Sequence, residues 1–307
     1  MISISYLGPR GTFSEAALQQ IIDDKPVTAL QNVGERIAAA TPPDALQMVR
    51  DGHVDYALVP TENFVDGPVT PTLDSLAGDD RLQIYAETEI PVVFSMLVRP
   101  GTTLDDVKTV GTHPVAMAQV REWVEEKLPA AEKKTTNSTA AAVQAVADGE
   151  LDMAAAPARA GEILGLEALA EGVADVQGAY TRFILVGKPG KPSPRTGRDR
   201  TSMVFQLPNE PATLVNAMNE YGMRGVDLTR IESRPTRQKF GSYNFFIECV
   251  GHIDDAAVAE TMQALHRRAS WLRYLGSWPA YDEAGTPPPN FDDSVDWVAN
   301  LREGKVE

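Results

Sequence analysis

The stretch from Lys188 to Arg200 constrains this chain more than any other. It reads KPGKPSPRTGRDR, with three prolines, two glycines and five basic side chains. Each proline lacks a backbone donor and each glycine raises the entropic cost of order, so neither a helix nor a strand can run through it. Residues 188–200 read as a linker, with parts of different character on either side. A chain of 307 residues has room for two or three domains. A second break follows Trp278. From Ala280 to Glu307 seven acidic residues face two basic ones, and Pro287 to Pro289 form a triple proline. Residues 280–307 are expected to be an acidic, mobile tail in which Phe291 and Trp297 could dock.

Residues 1–187 alternate short apolar runs with helical patterns. Strands are expected at Ile2 to Leu7, Asp55 to Val59, Val107 to Gly111, Met153 to Ala156 and Phe183 to Val186. A helix starts near Thr12 or Ser14 and runs to about Ile22, a short one covers Pro71 to Leu76, and another runs through Met117 to Lys127. Ser138 caps a helix through Val143 and Val146. Gln83 to Val98 is strand-like and too long for one compact unit. This alternation predicts parallel sheets with helices on both faces. The long central strand pair predicts two α/β lobes sharing crossovers, with the ligand cleft between them.

Residues 201–279 follow another pattern. Strands are expected at Thr201 to Leu207, Val226 to Ile231, Tyr243 to Val250 and Trp271 to Leu275. Leu214, Val215, Met218 and Tyr221 mark one helix face, and Val258, Met262 and Leu265 mark a second. The order βαββαβ is the ferredoxin-like unit. Small sheets of this kind leave edges exposed and often pair across a two-fold axis.

Charge and composition close several doors. Twenty-eight basic against 43 acidic residues leave a net charge of −15, unsuited to nucleic acid or an anionic membrane surface. A single cysteine, Cys249, cannot form an internal disulfide and suits a reducing cytosol. It lies in an apolar strand and reads as packing rather than as a nucleophile. The start of the chain has no secretion-signal pattern, and no run approaches the roughly 20 apolar residues that span a bilayer. A soluble, cytoplasmic protein is expected. No Cys/His cluster has metal-ligand spacing, and neither phosphate-loop nor dinucleotide glycine patterns occur. No cofactor is expected.

Five segments could carry chemistry. Gly8 to Glu15 runs from a strand through a glycine turn into a helix, and such a turn offers backbone N–H groups to an anion. The same residues would also serve as a plain N-cap. Glu62 and Asn63 sit in a polar loop after a strand, where α/β ligands bind, or in an exposed turn. Thr112-His113-Pro114 and Asn137-Ser138-Thr139 stand at helix starts, as caps or as hydrogen-bond donors into a cleft. Thr181-Arg182-Phe183 puts a hydroxyl, a fixed cation and an aromatic ring side by side, and in so acidic a chain a carboxylate ligand needs a local cation. Glu232-Ser233-Arg234-Pro235 pairs acid and base beside a chain-bending proline, which suits a zwitterion or a solvated surface pair.

Taken in order, YLGPRGTFSEAAL, VPTENFVDGPVTPTLDSL, THP, NSTAAAV, TRF, GVDLTRIESRP and YNFFIECVGH resemble the prephenate dehydratase family in its monofunctional form with a C-terminal ACT regulatory domain. The resemblance covers about residues 1 to 279. It implies an α/β fold with a two-lobed, periplasmic-binding-protein-like (type II) catalytic domain, residues 1–187, followed by the ferredoxin-like βαββαβ ACT domain, residues 201–279. It implies that prephenate loses water and carbon dioxide to give phenylpyruvate. Thr181 falls on the family's essential threonine, with Arg182 and Phe183 beside it. Thr12, Phe13, Glu62, Asn63, Ser138 and Thr139 are the implied substrate-binding residues. Ala212, Thr213 and Leu214, with Glu232, Ser233, Arg234 and Pro235, are the implied allosteric site for L-phenylalanine, and a homo-oligomer, dimer or tetramer, is expected. Ala179, Phe64, Ala212 and Thr213 depart from the family pattern, where asparagine, serine, glycine and alanine are usual. Dehydration of arogenate, or amino-acid binding without catalysis, are the alternatives that the sequence carries.

Overall fold

The computed structural model describes residues 1–78, 80–237, 239, 241–282 and 285–305. It is a mixed α/β protein with three sheets. The chain divides into two compact units, Met1–Leu73 with Thr88–Ile184, and Asp74–Glu87 with Leu185–Glu307.

The first unit opens with β1 (Ile2–Leu7), α1 (Phe13–Asp24), β2 (Val33–Ala39), α2 (Pro42–Arg50), β3 (Tyr56–Asn63), the two-residue β4 (Gly67–Pro68) and the start of α3 (Thr70–Leu76). The chain returns through β5 (Gln83–Pro91). The first sheet has the order β2-β1-β3, then the strand Tyr180–Gly187, then β5, and β1 is parallel to both β2 and β3. A second sheet is built from β6 (Ser95–Val98), β7 (Thr109–Thr112), β8 (Glu132–Thr135), β9 (Met153–Ala156) and β10 (Glu167–Glu171), in the order β10-β6-β9-β7-β8. Around it lie α4 (Pro114–Gln119), α5 (Arg121–Lys127), α6 (Thr139–Ala147) and α7 (Ala158–Leu164), and β11 (Tyr180–Gly187) leads out.

Strand periodicity explains the unbroken apolar runs SMLV and MAAA. Met96, Val98, Met153 and Ala155 belong to one core cluster, with Val110, Val120 and Val124. Leu97, Ala154 and Ala156 belong to another, with Ala142, Val143 and Val146 of α6. Successive side chains point to opposite faces, so both faces of these strands are buried and no alternation with polar residues remains.

The stretch Gln83 to Val98, expected as one strand-like run, is two strands of different sheets. The chain crosses between them at Val92 to Phe94, where Val92 N donates to Ala179 O (2.8 Å) and Val173 N to Phe94 O (3.2 Å). The helix expected through Met117 to Lys127 is two helices, because Val120 leaves helical geometry (φ −123°, ψ 14°).

The second unit contains β12 (Asp199–Gln206), α8 (Thr213–Gly222), β13 (Leu228–Pro235), β14 (Tyr243–Val250), α9 (Ala256–Arg268), β15 (Trp271–Pro279) and α10 (Asp292–Arg302). Its antiparallel sheet has the order β13-β14-β12-β15. Met203, Phe205, Ile247 and Cys249 alternate onto one face and pack with Ala217, Tyr221, Val258 and Leu265 of the helices. On α8 the core-facing residues are Ala217 and Tyr221, whereas Val215, expected on that face, is 60% exposed. Cys249 is fully buried, and burial pushes its thiol far above the ordinary range. On the other face Glu87, whose side chain is entirely buried, meets Arg200 Nε at 3.2 Å and accepts from Trp278 Nε1 at 2.9 Å.

Residues 188–200 do not hang free. Gly190 N donates to Gln83 Oε1 (3.3 Å), and the buried Ser193 hydroxyl donates to Tyr85 O (2.6 Å). The acidic tail, expected to be mobile, carries α10, with Asp292 and Asp293 in the first turn and Arg302 in the last, charges that complement the helix dipole. Phe291 docks against the core of the second unit, and Trp297 is 51% exposed. Among the described residues no helix is long and apolar enough to cross a membrane.

Gly276 of β15 has φ +147°, and a Cβ there would run into the backbone of Ile84. Gly276→Ala is expected to cost about 2–4 kcal/mol through backbone strain and overpacking, read as a lower urea midpoint at unchanged slope.

Candidate active site

A cleft of about 380 Å³ opens in the first unit. Its wall is made of helix starts. Thr12, Thr41, His113 and Ser138, the N-cap residues of α1, α2, α4 and α6, all line it. Each accepts a backbone N–H of its own first turn: Thr12 Oγ1 from Glu15 at 3.4 Å, Thr41 Oγ1 from Asp44 at 3.2 Å, His113 Nδ1 from Val115 at 3.3 Å and Ser138 Oγ from Ala141 at 3.0 Å. Phe13, Ser14, Pro42, Val115 and Thr139 follow in the wall. First-turn N–H groups have no intrahelical acceptor, and the helix dipole adds partial positive charge at the same end, although α2 opens on Pro42-Pro43, which carry no N–H, and its Asp44 N–H is taken by Thr41. None of the lining residues is Lys, Arg, Asp or Glu. In a chain of net charge −15 the cleft is made hospitable to an anion by oriented peptide dipoles, not by cations.

The floor is a hydrogen-bonded pair. Asn63 Oδ1 accepts from Val65 N (2.9 Å) and Asp66 N (3.0 Å), which fixes the direction of the amide. Its Nδ2 therefore faces Thr181 and donates to Oγ1 at 2.9 Å. With one acceptor site of Thr181 so occupied, the hydroxyl proton points away from Asn63 and can be donated to another acceptor. Thr181 is 9% exposed and Asn63 half-buried, so the pair works where competing water is scarce. Nearby Gln119 is 4% exposed and lines the cleft. Its Nε2 donates to Asp66 Oδ2 (2.9 Å), while its Oε1 has no hydrogen-bond partner among the described residues and is a buried acceptor. Val92 and Phe94 of the crossover supply an apolar side, and Phe94 meets Phe13 edge to face at 5.5 Å between ring centres.

Of the residues singled out in the sequence, Thr12, Phe13, Asn63, Ser138, Thr139 and Thr181 gather at this cleft, with His113 and Asn137. Glu62, Arg182 and Phe183 are not in its wall. Strand alternation is the reason: Glu62 neighbours Asn63 on β3 and Arg182 neighbours Thr181 on β11, so each points to the opposite face. Phe183 returns to the face of Thr181 but is 1% exposed, deep in the core. The glycine turn also differs from expectation. Gly11 N donates to the chain's own Glu15 Oε2 at 2.8 Å, so that N–H is not offered to a ligand. Thr41, Pro42 and Gln119 were not foreseen. The run TPPD at 41–44, an N-cap followed by proline and an acid, was the signal available for the first two.

The remaining candidates lie in the second unit. Ala212 caps α8 in the left-handed region (φ 65°, ψ 0°), a conformation that favours glycine. Thr213 Oγ1 bonds to the carbonyls of Pro208 and Glu210, both at 3.0 Å, and Leu214 is 36% exposed. Glu232, Ser233, Arg234 and Pro235 end β13, and Arg234 is bound to Asp74 by two parallel hydrogen bonds.

The family model for prephenate dehydratase matches residues 4–191. This chain belongs to the prephenate dehydratase family. A prephenate dehydratase of Mycobacterium tuberculosis is 52% identical over 312 residues, covering 100% of this chain and 96% of the relative. The crystal structure of a prephenate dehydratase from Arthrobacter aurescens, in complex with L-Phe, is 40% identical, with a TM-score of 0.87 over 98% of this chain and 100% of that one. A structure described as GqqA, a novel type of quorum quenching acylase, is 29% identical, with a TM-score of 0.77 over 91% of this chain and 98% of that one. The scaffold of prephenate dehydratases is thus shared with a protein described by other chemistry, and the cleft has to carry the argument for activity.

His113 is the one ordinarily titratable side chain of the cleft wall, and its Nδ1 is occupied as a cap. Asparagine caps helices equally well. His113→Asn is expected to keep kcat/KM within about fivefold and leave the pH profile unchanged, whereas loss of general acid–base catalysis would cost about a hundredfold or more.

Proposed function

We propose that this cleft binds prephenate and converts it to phenylpyruvate, with Thr181 as the catalytic residue. The observation that carries the reading is the fixed direction of the Asn63–Thr181 hydrogen bond. It leaves the threonine proton free to meet an acceptor in the cleft, and the acceptor that the reaction requires is the leaving hydroxyl.

The chemistry asks little of acid or base. Heterolysis of the ring C–OH bond and loss of the ring carboxylate as carbon dioxide turn a cyclohexadiene into benzene, and the electrons of the broken C–C bond complete the aromatic ring. The dianion takes up one proton and yields phenylpyruvate monoanion, water and carbon dioxide. Thr181 donates a hydrogen bond to the departing oxygen, which leaves with hydroxide character and takes the one proton of the balance from solvent to become water. A threonine hydroxyl stays protonated near neutrality, so its part is to donate, not to ionise. The helix starts at Thr12 and Ser138, whose first turns open on residues with N–H groups, hold the two carboxylates, and the dipoles of the helices that begin at Thr41 and His113 add to the field at no cost of reorganisation. Phe13, Val92 and Phe94 keep water from the ring, which favours loss of carbon dioxide over a solvated carboxylate. Gln119 Oε1, an acceptor, suits the substrate hydroxyl, the single donor on the dianion.

The two sheets of the first unit fit two lobes of a type II periplasmic-binding-protein-like domain, joined by the crossovers at 92–94 and 172–179. The order β-α-β-β-α-β and the sheet β13-β14-β12-β15 fit an ACT domain in the second. The L-Phe bound by the Arthrobacter relative supports L-phenylalanine as a feedback inhibitor of this chain, and the family resemblance of the segments Ala212–Leu214 and Glu232–Pro235 supports them as its site. Exposed Val215, Met223 and Ile231, with β13 at a sheet edge, favour assembly as a dimer or tetramer.

The test follows phenylpyruvate by its ultraviolet absorbance in alkali. Thr181→Val is expected to lower kcat by about 10²–10⁴-fold with an unchanged melting temperature, while Thr181→Ser retains most activity. Near-normal turnover by Thr181→Val sinks the reading. Faster turnover of arogenate than of prephenate, or quorum-quenching acylase activity without either, would replace the substrate.

A further inference from the structure

Helix α3 is seven residues long, and contacts at Thr72, at Asp74 and at its C-terminal end hold it. Thr72 Oγ1 donates to Pro60 O at 2.7 Å, a buried bond to β3 three residues before Asn63. Asp74 takes both prongs of Arg234, Nε to Oδ1 at 3.1 Å and Nη2 to Oδ2 at 2.9 Å, with Arg237 Nη2 at 3.6 Å from the same carboxylate. Arg273 Nη1 donates to Leu76 O at 3.1 Å and to Gly78 O, the carbonyls at the end of the helix. Arg234 comes from β13 and Arg273 from β15, the two outer strands of the four-stranded sheet. Thr72 and Asp74 are two residues apart, about 200° around a helix, so their bonds leave opposite sides of α3.

Bidentate guanidinium–carboxylate pairing is directional as well as strong. A displacement of Arg234 must either break the pair or turn α3. A turn of α3 acts on β3 at Pro60, and β3 ends in the Asn63 that orients Thr181. Helix and strand are stiff over so few residues, and the whole route is one covalent segment, 60–74, held at its two ends by named bonds.

We infer that Asp74 is a positioning residue that couples the Glu232–Pro235 segment to the Asn63–Thr181 pair through α3. The inference rests on the regulatory reading above and adds the route by which effector binding reaches the hydroxyl. Arg234 lies in the segment assigned to the effector, and the carboxylate of an amino acid offers it the same two acceptors that Asp74 does. Effector binding then competes with Asp74 or shifts its partner, and the direction of the Thr181 donor changes with it.

Asp74→Asn in the full chain tests this, because asparagine keeps the size and loses the charged fork. Three quantities are read: L-phenylalanine binding by calorimetry, kcat and KM for prephenate with and without saturating L-phenylalanine, and the melting temperature. The expected result is effector-free kcat and L-phenylalanine affinity within about threefold of wild type, and inhibition weakened about tenfold. Thr72→Val, which breaks the other end of the route, is expected to uncouple in the same way, and it serves as the readout if Asp74→Asn melts far lower. Undiminished inhibition in a folded Asp74→Asn or Thr72→Val variant overturns the inference, and so does inhibition lost only because L-phenylalanine no longer binds. A wild-type enzyme that neither binds nor responds to L-phenylalanine overturns the regulatory reading itself, and this inference with it.

Discussion

Two backbone N–H groups, those of Val65 and Asp66, decide how the centre of this molecule works. By binding Asn63 Oδ1 they leave the amide one way to face, so its N–H approaches the Thr181 oxygen and the proton of that hydroxyl points elsewhere. The polarity of a three-member chain is thereby set by a tight turn at the end of β3. The rest of the cleft supports that arrangement. Four helix N-caps stand around the Asn63–Thr181 pair, and none of the described lining residues is a lysine or an arginine. Fixed dipoles cannot swing away, and they bring no counter-charge that must be desolvated.

The reach of the sequence followed burial. Strands β1, β9 and β14 and the caps at Thr12 and Ser138 were legible because burial on one face or both leaves apolar runs, and capping chemistry marks helix starts. The strands that escaped notice, β2, β8 and β10, all lie at sheet edges, and their residues are largely exposed. An edge strand has solvent on one flank and needs no apolar periodicity, so VGERIAA and EKKT look like loops. With β2 unseen, α2 and Thr41 were unseen as well. Gln119 was hidden for a different reason. One polar residue in a helical pattern does not say whether it faces water or a cleft, and only the packing of α4 decides that.

Strand alternation likewise set the limit on reading a motif as a site. The tripeptide Thr181-Arg182-Phe183 looks like three partners because it is contiguous, yet on β11 neighbours in sequence are opposed in space. Arg182 is absent from the cleft wall, which is lined instead by helix starts distributed over residues 12 to 138, a pattern with no local signature. The compact units also cut across the order of the chain, since residues 74–87 belong with the second unit although they precede most of the first. Composition finds the proline-rich stretch at 188–200, but it cannot find a helix and a strand lent by one unit to the other.

Cys249 has a practical corollary. It is the sole sulfhydryl in the chain, it is sealed between sheet and helices, and it resists ionisation. Maleimides and other thiol reagents therefore meet no native target while the fold holds. A fluorophore or spin label placed on a cysteine introduced anywhere on the surface would report from that point alone, against a silent background.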